Sequence, residues 1–216
     1  MSVGISGHGT ESMEPEFGAE DVRILEEPNA FSGYFSVRKV VLQHRLFAGG
    51  WSHPITREVF DRGDAVGVLP WDPVTDELIM IEQFRVGAVR GENSPWMLEL
   101  VAGIVEPGEN DEEVARREAI EEAALPITEL HGIARFYPSA GACSEQVRLF
   151  VGRATRPQQS GVFGCDEEDE DIRVHVLPRA EVMGLLNAGR IDNGHTLIAL
   201  LWLQHHGDAL RQRWLT

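Results

Sequence analysis

Residues 101–125 read "VAGIVEPGENDEEVARREAIEEAAL". Pro107 and Gly108 signal a turn, and from Asp111 to Ala124 almost every residue is a strong helix former, so a helix is predicted there. Eight acidic side chains share the stretch with only two arginines, Arg116 and Arg117. At about 100° per residue, Glu118, Glu121 and Glu122 fall within an arc of roughly 100° and share one face. Ala115, Ala119, Ile120, Ala123 and Ala124 cover the other side, and most are small enough to let the helix lie close to a sheet. Glu118 and Glu122 are like charges one turn apart, an arrangement that costs about 0.2–0.5 kcal/mol. Arg117 can pair with Glu121, whereas Glu118 and Glu122 have no cation at helical spacing on their C-terminal side. A divalent metal answers that excess, because magnesium takes one or two carboxylates completed by waters and substrate phosphates. The competing reading is a solvated acidic face with no ligand.

The flanking sequence supplies a sheet. The first twenty residues are rich in Gly, Ser and Glu without a period and read as loose chain. From Asp21, "VRILEE", "YFSVRKVVLQHRL" and "ITREVFDRG" alternate apolar with polar residues, so residues 21–60 are predicted to form a small sheet of their own. "AVGVLPWD" and "ELIMIEQFR", joined by the turn signal "DPVTD", read as a buried hairpin, and "WMLELVAG" as one further strand. "ITELHGIARFY", "EQVRLFVGRAT" and "IRVHVL" are strand-like. Two helices follow, one after Pro178 that stops near Gly189, the other starting around Asp192 as N-cap and carrying "TLIALLWL". The mixture predicts an α+β or α/β fold, a mixed sheet with helices on its faces, over residues 61–216.

Composition narrows the function. A formal net charge of −16 argues against a nucleic-acid binder, which needs a basic patch. Two cysteines, Cys143 and Cys165, make no disulfide framework, and the N-terminus has no signal-peptide pattern, so a cytoplasmic location is expected. The longest apolar stretch, Leu197 to Leu203, is far short of the roughly 20 residues a membrane span needs. Cys143 has no evident partner base and reads as an incidental thiol, and the adjacent His205 and His206 read as surface residues.

The order of residue types in the opening stretch is more specific than its charge. Gly103, then Glu109 after five residues, then after seven more "REAIEEAAL" from Arg117 resembles the Nudix box. The resemblance implies a Nudix fold and hydrolysis of a nucleoside diphosphate linked to another group. It makes Glu118 and Glu122 central metal ligands, Glu121 a closer or outer partner in catalysis beside them, and the Ala102 carbonyl a further ligand. Gly103, Glu109 and Arg117 are then structural, with Glu109 and Arg117 paired to fix the loop against the helix. The box usually ends in glycine where this chain has Ala124, which predicts a helix exit without a left-handed residue, stopped by Pro126.

Outside the box, "HRLFAGGWS", "REVFDRGDAVGVLPWDP", "IEQFR", "PWMLELVAG", "EDEDIRVHV" and "IDNGHTLIALLWLQ" resemble the ADP-ribose pyrophosphatase branch of that family. The resemblance implies a magnesium enzyme, with manganese as an alternative, and a homodimer that exchanges its N-terminal antiparallel sheet. It further implies substrate contacts at Tyr34 and Phe35 near the adenine, and at Arg57, Glu58, Arg62, Arg85, Ile104, Ser139, Ala140, Gly141 and Glu145. In the acidic run from Asp166 to Asp171 it makes Glu168 a general base and Glu170 a metal ligand. The alternatives are a Nudix hydrolase of GDP-mannose, NADH or another nucleotide sugar, and a catalytically silent ADP-ribose-binding module. A plain calcium buffer finds no loop motif in support.

Overall fold

The structure is a computed structural model and describes residues 14–157, 161–163 and 171–216. The chain divides into two compact units, one ending at Asp61 and the other starting at Arg62.

The first unit is an antiparallel sheet of β1 (Val22–Glu26), β2 (Asn29–Ser32), β3 (Ser36–His44) and β4 (Ile55–Asp61). β3 is central: β1 and β2 pair with its two halves along one edge and β4 with the other. β2 escapes prediction because four residues bounded by Pro28 and Gly33 are too few to show a period. The Trp51 ring is flanked by two guanidinium groups, Arg23 at 3.6 Å and Arg45 at 4.5 Å, a cation–π arrangement that ties β1 to the turn after β3. Among the described residues of this unit Val40 alone is a buried hydrophobic side chain, while Ile24, Leu25, Phe31 and Phe47 are exposed. Such a sheet buries too little apolar surface to make a core of its own.

The second unit is built on an eight-stranded mixed sheet of β5 (Ala65–Asp72), β6 (Glu77–Phe84), β7 (Trp96–Glu99), β8 (Val101–Ile104), β9 (Glu129–Phe136), β10 (Val147–Arg153), β11 (Val162–Phe163) and β12 (Ile172–Pro178). β5 and β10 are parallel and the other pairs antiparallel. β5 and β6 are joined as the hairpin signal predicts, yet they pair only at Trp71↔Leu78 and Asp72↔Glu77, after which they diverge. β8 then pairs with β5 and β7 with β6. "WMLELVAG" is therefore two strands, not one. The break falls at Leu100, whose N–H donates to Thr196 Oγ1 at 3.0 Å rather than to a neighbouring strand.

Every residue of β5 is buried because its side chains alternate between two cores. Leu69 and Trp71 join Leu78, Met80, Leu149 and the apolar face of α2 (Arg179–Asn187) and α3 (Gly194–Leu215). Val66 and Val68 join Ile79, Ile81, Val101 and the Val114, Ala115, Ala119 and Ala123 face of α1 (Asp111–Ala123). The sheet is thus sandwiched between helices, each fully buried Leu, Ile or Val contributing about 1.5–3 kcal/mol. The α3 N-cap is Asn193, one residue beyond the predicted Asp192, because it is the Asn193 side chain that accepts from Thr196 N–H at 3.0 Å. Among the described residues no helix is long and apolar enough to cross a membrane.

Candidate active site

The site is assembled where β8 runs through a short loop into α1. Asn110 caps the helix by accepting from Glu113 N–H at 3.0 Å, and the Glu113 carboxylate answers from the other side, so the helix start is fixed by a reciprocal box. Asp111, Glu112 and Glu113 in the first turn face the positive end of the helix dipole. α1 packs on β8 and β5 through its alanines. Glu122 lies within that buried stripe at 3% exposure, and its carboxylate accepts from Ala102 N–H at 3.1 Å. Glu118 lies one turn back, and its carboxylate lies over Gly103 so closely that a Cβ at that position would overlap it. Two carboxylates thus converge on the Ala102–Gly103 backbone, a close approach only glycine permits.

Arg117 organises the outer side. It grips both Glu109 oxygens at 2.9 and 3.1 Å, and its Nη1 group reaches Glu118 at 2.7 Å and Glu121 at 2.9 Å. Arg117 Nη2 also donates to the Ile104 carbonyl, closing the loop onto the helix. The Arg117 hydrogen bond, joined by the Glu106 N–H, holds the Glu109 carboxyl below its ordinary range, and the same bond raises Arg117 above its own.

A second cluster lies at the end of β6 and the strands beside it. Glu99 is 2% exposed, and one of its oxygens takes both Arg85 Nε at 3.0 Å and Nη2 at 2.9 Å. Its other oxygen accepts from Asn193 Nδ2 at 2.9 Å. Nearby, Arg62 pairs with buried Glu145 at 3.5 Å. Burial pushes the Glu145 carboxyl up and Asp64 adds to this, against the pull of Arg62. Burial also pushes Asp64 up, but hydrogen bonds from Arg148 and Gln146 N–H outweigh it and leave that carboxyl below its usual range. His195 in the first turn of α3 lies edge-on to Phe136 at 5.8 Å, and burial with the charges of Arg62 and Arg85 holds its imidazole below the ordinary value.

Residues 61–200 match the family model described as the NUDIX domain. The chain belongs to the Nudix family. Like this Nudix chain over 92% of its length is the ADP-ribose pyrophosphatase of Escherichia coli K12, 44% identical over 198 residues and 95% covered. The ADP-ribose pyrophosphatase of Haemophilus influenzae is 40% identical over 201 residues, 92% of this chain and 93% of that one. A solved structure of an ADP compounds hydrolase superposes with a TM-score of 0.65 at 25% identity, covering 87% of this chain and 96% of its own.

The structure brings together one group of the Nudix-box residues singled out from sequence: Ala102, Gly103, Ile104, Glu109, Arg117, Glu118 and Glu122. It corrects three details. Ile120, expected on the core side, is 56% exposed, whereas Glu121, 49% exposed, pairs with Arg117 as its spacing predicts. Glu118 does have a cation in the chain, since Arg117 reaches it from the preceding position, which helical-spacing rules do not anticipate. Ala124 is left-handed after all, with φ 49° and ψ 36°, and Leu125 N–H bonds back to the Ala119 carbonyl as a left-handed exit requires.

Arg62 and Glu145 meet as a pair and Arg85 stands in the Glu99 cluster. Ser139, Ala140 and Gly141 lie in the exposed loop between β9 and β10, where the Ser139 carbonyl accepts from Ala142 and Cys143 N–H. Tyr34, Phe35, Arg57 and Glu58 belong to the first unit: Tyr34 is 88% exposed with its ring 4.7 Å from that of Phe35, and Arg57 and Glu58 lie on β4 opposite Val40 and Lys39. Glu168 and Glu170 lie outside the described residues. Glu99 and Asn193 were not singled out from sequence, although a lone acid inside the apolar "WMLELVAG" was the available signal.

Whether these residues suit a divalent cation is answered by the donors themselves. The Glu118 and Glu122 carboxylates come together at the Ala102–Gly103 backbone, and carboxylate oxygens are the hard donors that fit such an ion. Among the described residues no three His, Cys, Asp or Glu side chains are grouped to hold a metal.

Proposed function

We propose that this protein is an ADP-ribose pyrophosphatase that hydrolyses ADP-ribose to AMP and ribose 5-phosphate. The observation that carries the reading is the convergence of Glu118 and Glu122 on the β8 backbone, in a Nudix chain related along nearly its whole length to enzymes of that name. Magnesium is the proposed metal, with manganese as the alternative; when bound it neutralises the diphosphate and lowers the pKa of water. Glu118, Glu122, the Ala102 carbonyl and Glu170 would hold it. Arg85 and Arg62 bind the diphosphate, for which two fork-shaped cations are well suited. Ile104, Glu145 and the Ser139–Gly141 loop line the place of the substrate. Glu168 takes the proton of the attacking water; its oxygen bonds to phosphorus as the anhydride P–O bond breaks. Glu121 acts from outside the ligand set.

The exposed aromatic pair Tyr34 and Phe35 stacks on the adenine, and Arg57 and Glu58 complete the contact. Their place in the N-terminal sheet supports a homodimer whose sheets are exchanged, because that sheet lacks a core of its own. Two cysteines and a formal net charge of −16 support a cytoplasmic enzyme without nucleic-acid or membrane partners.

The test is AMP release from ADP-ribose with Mg²⁺ by the wild type and by Glu122→Gln. The wild type is expected to release AMP and the variant to lose at least about a hundredfold in kcat while keeping its melting temperature. Binding of ADP-ribose without AMP release by the wild type would instead favour a silent binding module.

A further inference from the structure

Arg85 is half exposed, with 43% of its side chain open to solvent, whereas its partner Glu99 is almost wholly buried. The contact is lopsided in a second way. One Glu99 oxygen takes both Nε–H and Nη2–H of Arg85, which fixes the plane of the guanidinium, while Nη1 has no partner among the described residues. Glu99 is itself fixed, since its second oxygen accepts from Asn193 Nδ2. Asn193 in turn is pinned by its own capping bonds: its Oδ1 accepts from Thr196 N–H and Thr196 Oγ1, each at 3.0 Å, and Thr196 Oγ1 accepts from Leu100 N–H. A chain of hydrogen bonds thus runs from the head of α3, through a buried carboxylate, to the Nε–Nη2 edge of Arg85. A long flexible side chain held this way loses its rotamer freedom before any ligand arrives, which lowers the entropic cost of binding.

We propose that Glu99 is a positioning residue: held by Asn193 at the start of α3, it aims the open edge of Arg85 at the anionic groups of a nucleoside diphosphate. This rests on the reading of Arg85 as a substrate residue. Glu99 touches no substrate. It acts through Arg85 alone, so its removal weakens ground-state and transition-state binding alike and shows in KM.

Steady-state kinetics on ADP-ribose with Glu99→Gln, Arg85→Ala, the double variant and Asn193→Ser test this. Glutamine keeps the shape but loses the charge and one acceptor, so Glu99→Gln is expected to raise KM roughly tenfold with kcat nearly unchanged. The double variant is expected to be no worse than Arg85→Ala, since a residue that works only through Arg85 has nothing left to position. Serine caps a helix as well as asparagine but has no amide to give Glu99, so Asn193→Ser is expected to raise KM at an unchanged melting temperature, and it carries the test if Glu99→Gln does not fold. Losses that multiply in the double variant, or unchanged KM in Glu99→Gln and Asn193→Ser beside a raised KM in Arg85→Ala, overturn the proposal and leave the substrate reading standing. An unchanged KM in Arg85→Ala overturns both the assignment of Arg85 and the role of Glu99.

Discussion

Ala124 ends α1 in the left-handed region, φ 49° and ψ 36°, although it carries a Cβ. A residue with a side chain pays about 1–2 kcal/mol for that conformation. The helix exit is imposed by its surroundings: Ala124 N–H bonds to the Ile120 carbonyl, Leu125 N–H to that of Ala119, and Leu125 is buried in the α1 core. From sequence alone the absence of glycine argued for a different exit, because local propensity was visible and the burial of Leu125 was not. Ala124→Gly is therefore expected to stabilise the protein by about 1 kcal/mol, the relieved strain exceeding the added freedom of the unfolded chain. Urea unfolding measures it; a lower midpoint in the variant would show that the left-handed exit carries no strain.

At the scale of elements, the period-2 and helical patterns were legible wherever one side of an element is wet or its length exceeds two turns, as in β3, β10 and α1. They were mute about pairing. "WMLELVAG" carries no sign that its two halves serve different neighbours, since the break at Leu100 depends on Thr196, almost a hundred positions away. The packing of β9 on α3 is another such long-range contact. His131 and His206 both lie against the Trp202 ring, at 5.3 and 4.9 Å. Burial, with the nearby charge of Arg213, holds the His131 imidazole below its ordinary value, Glu129 opposing. The unfolded chain then takes up this proton more readily than the folded one. The stabilising share of neutral His131 is complete above about pH 6.5 and is lost as pH falls below that. His195 adds in the same direction. The unfolding midpoint is expected to drop between pH 7.5 and pH 5.5, and to drop less in His131→Phe; an equal drop in the variant would show that His131 carries none of the pH dependence.

Across the whole molecule, the Nudix box gave away the family because its spacing is a chemical constraint: two carboxylates one turn apart must reach the β8 backbone at Gly103, where no side chain stands in the way. Arg117 could be read as the partner of Glu109, but its reach to Glu118 depends on a side-chain conformation no spacing rule encodes. Glu99 went unread because a buried acid is meaningful only once Arg85 and Asn193 are seen around it. The exposed apolar residues of the N-terminal sheet also gain their sense only at this scale. Light scattering is expected to give twice the 24.0 kDa chain mass, and a monomer at micromolar concentration would contradict the exchanged-sheet dimer.

Substrate choice is read directly from kcat/KM for ADP-ribose, GDP-mannose and NADH with Mg²⁺, the products being identified. ADP-ribose is expected to be preferred and to yield AMP and ribose 5-phosphate in equal amounts; faster turnover of GDP-mannose or NADH would contradict it.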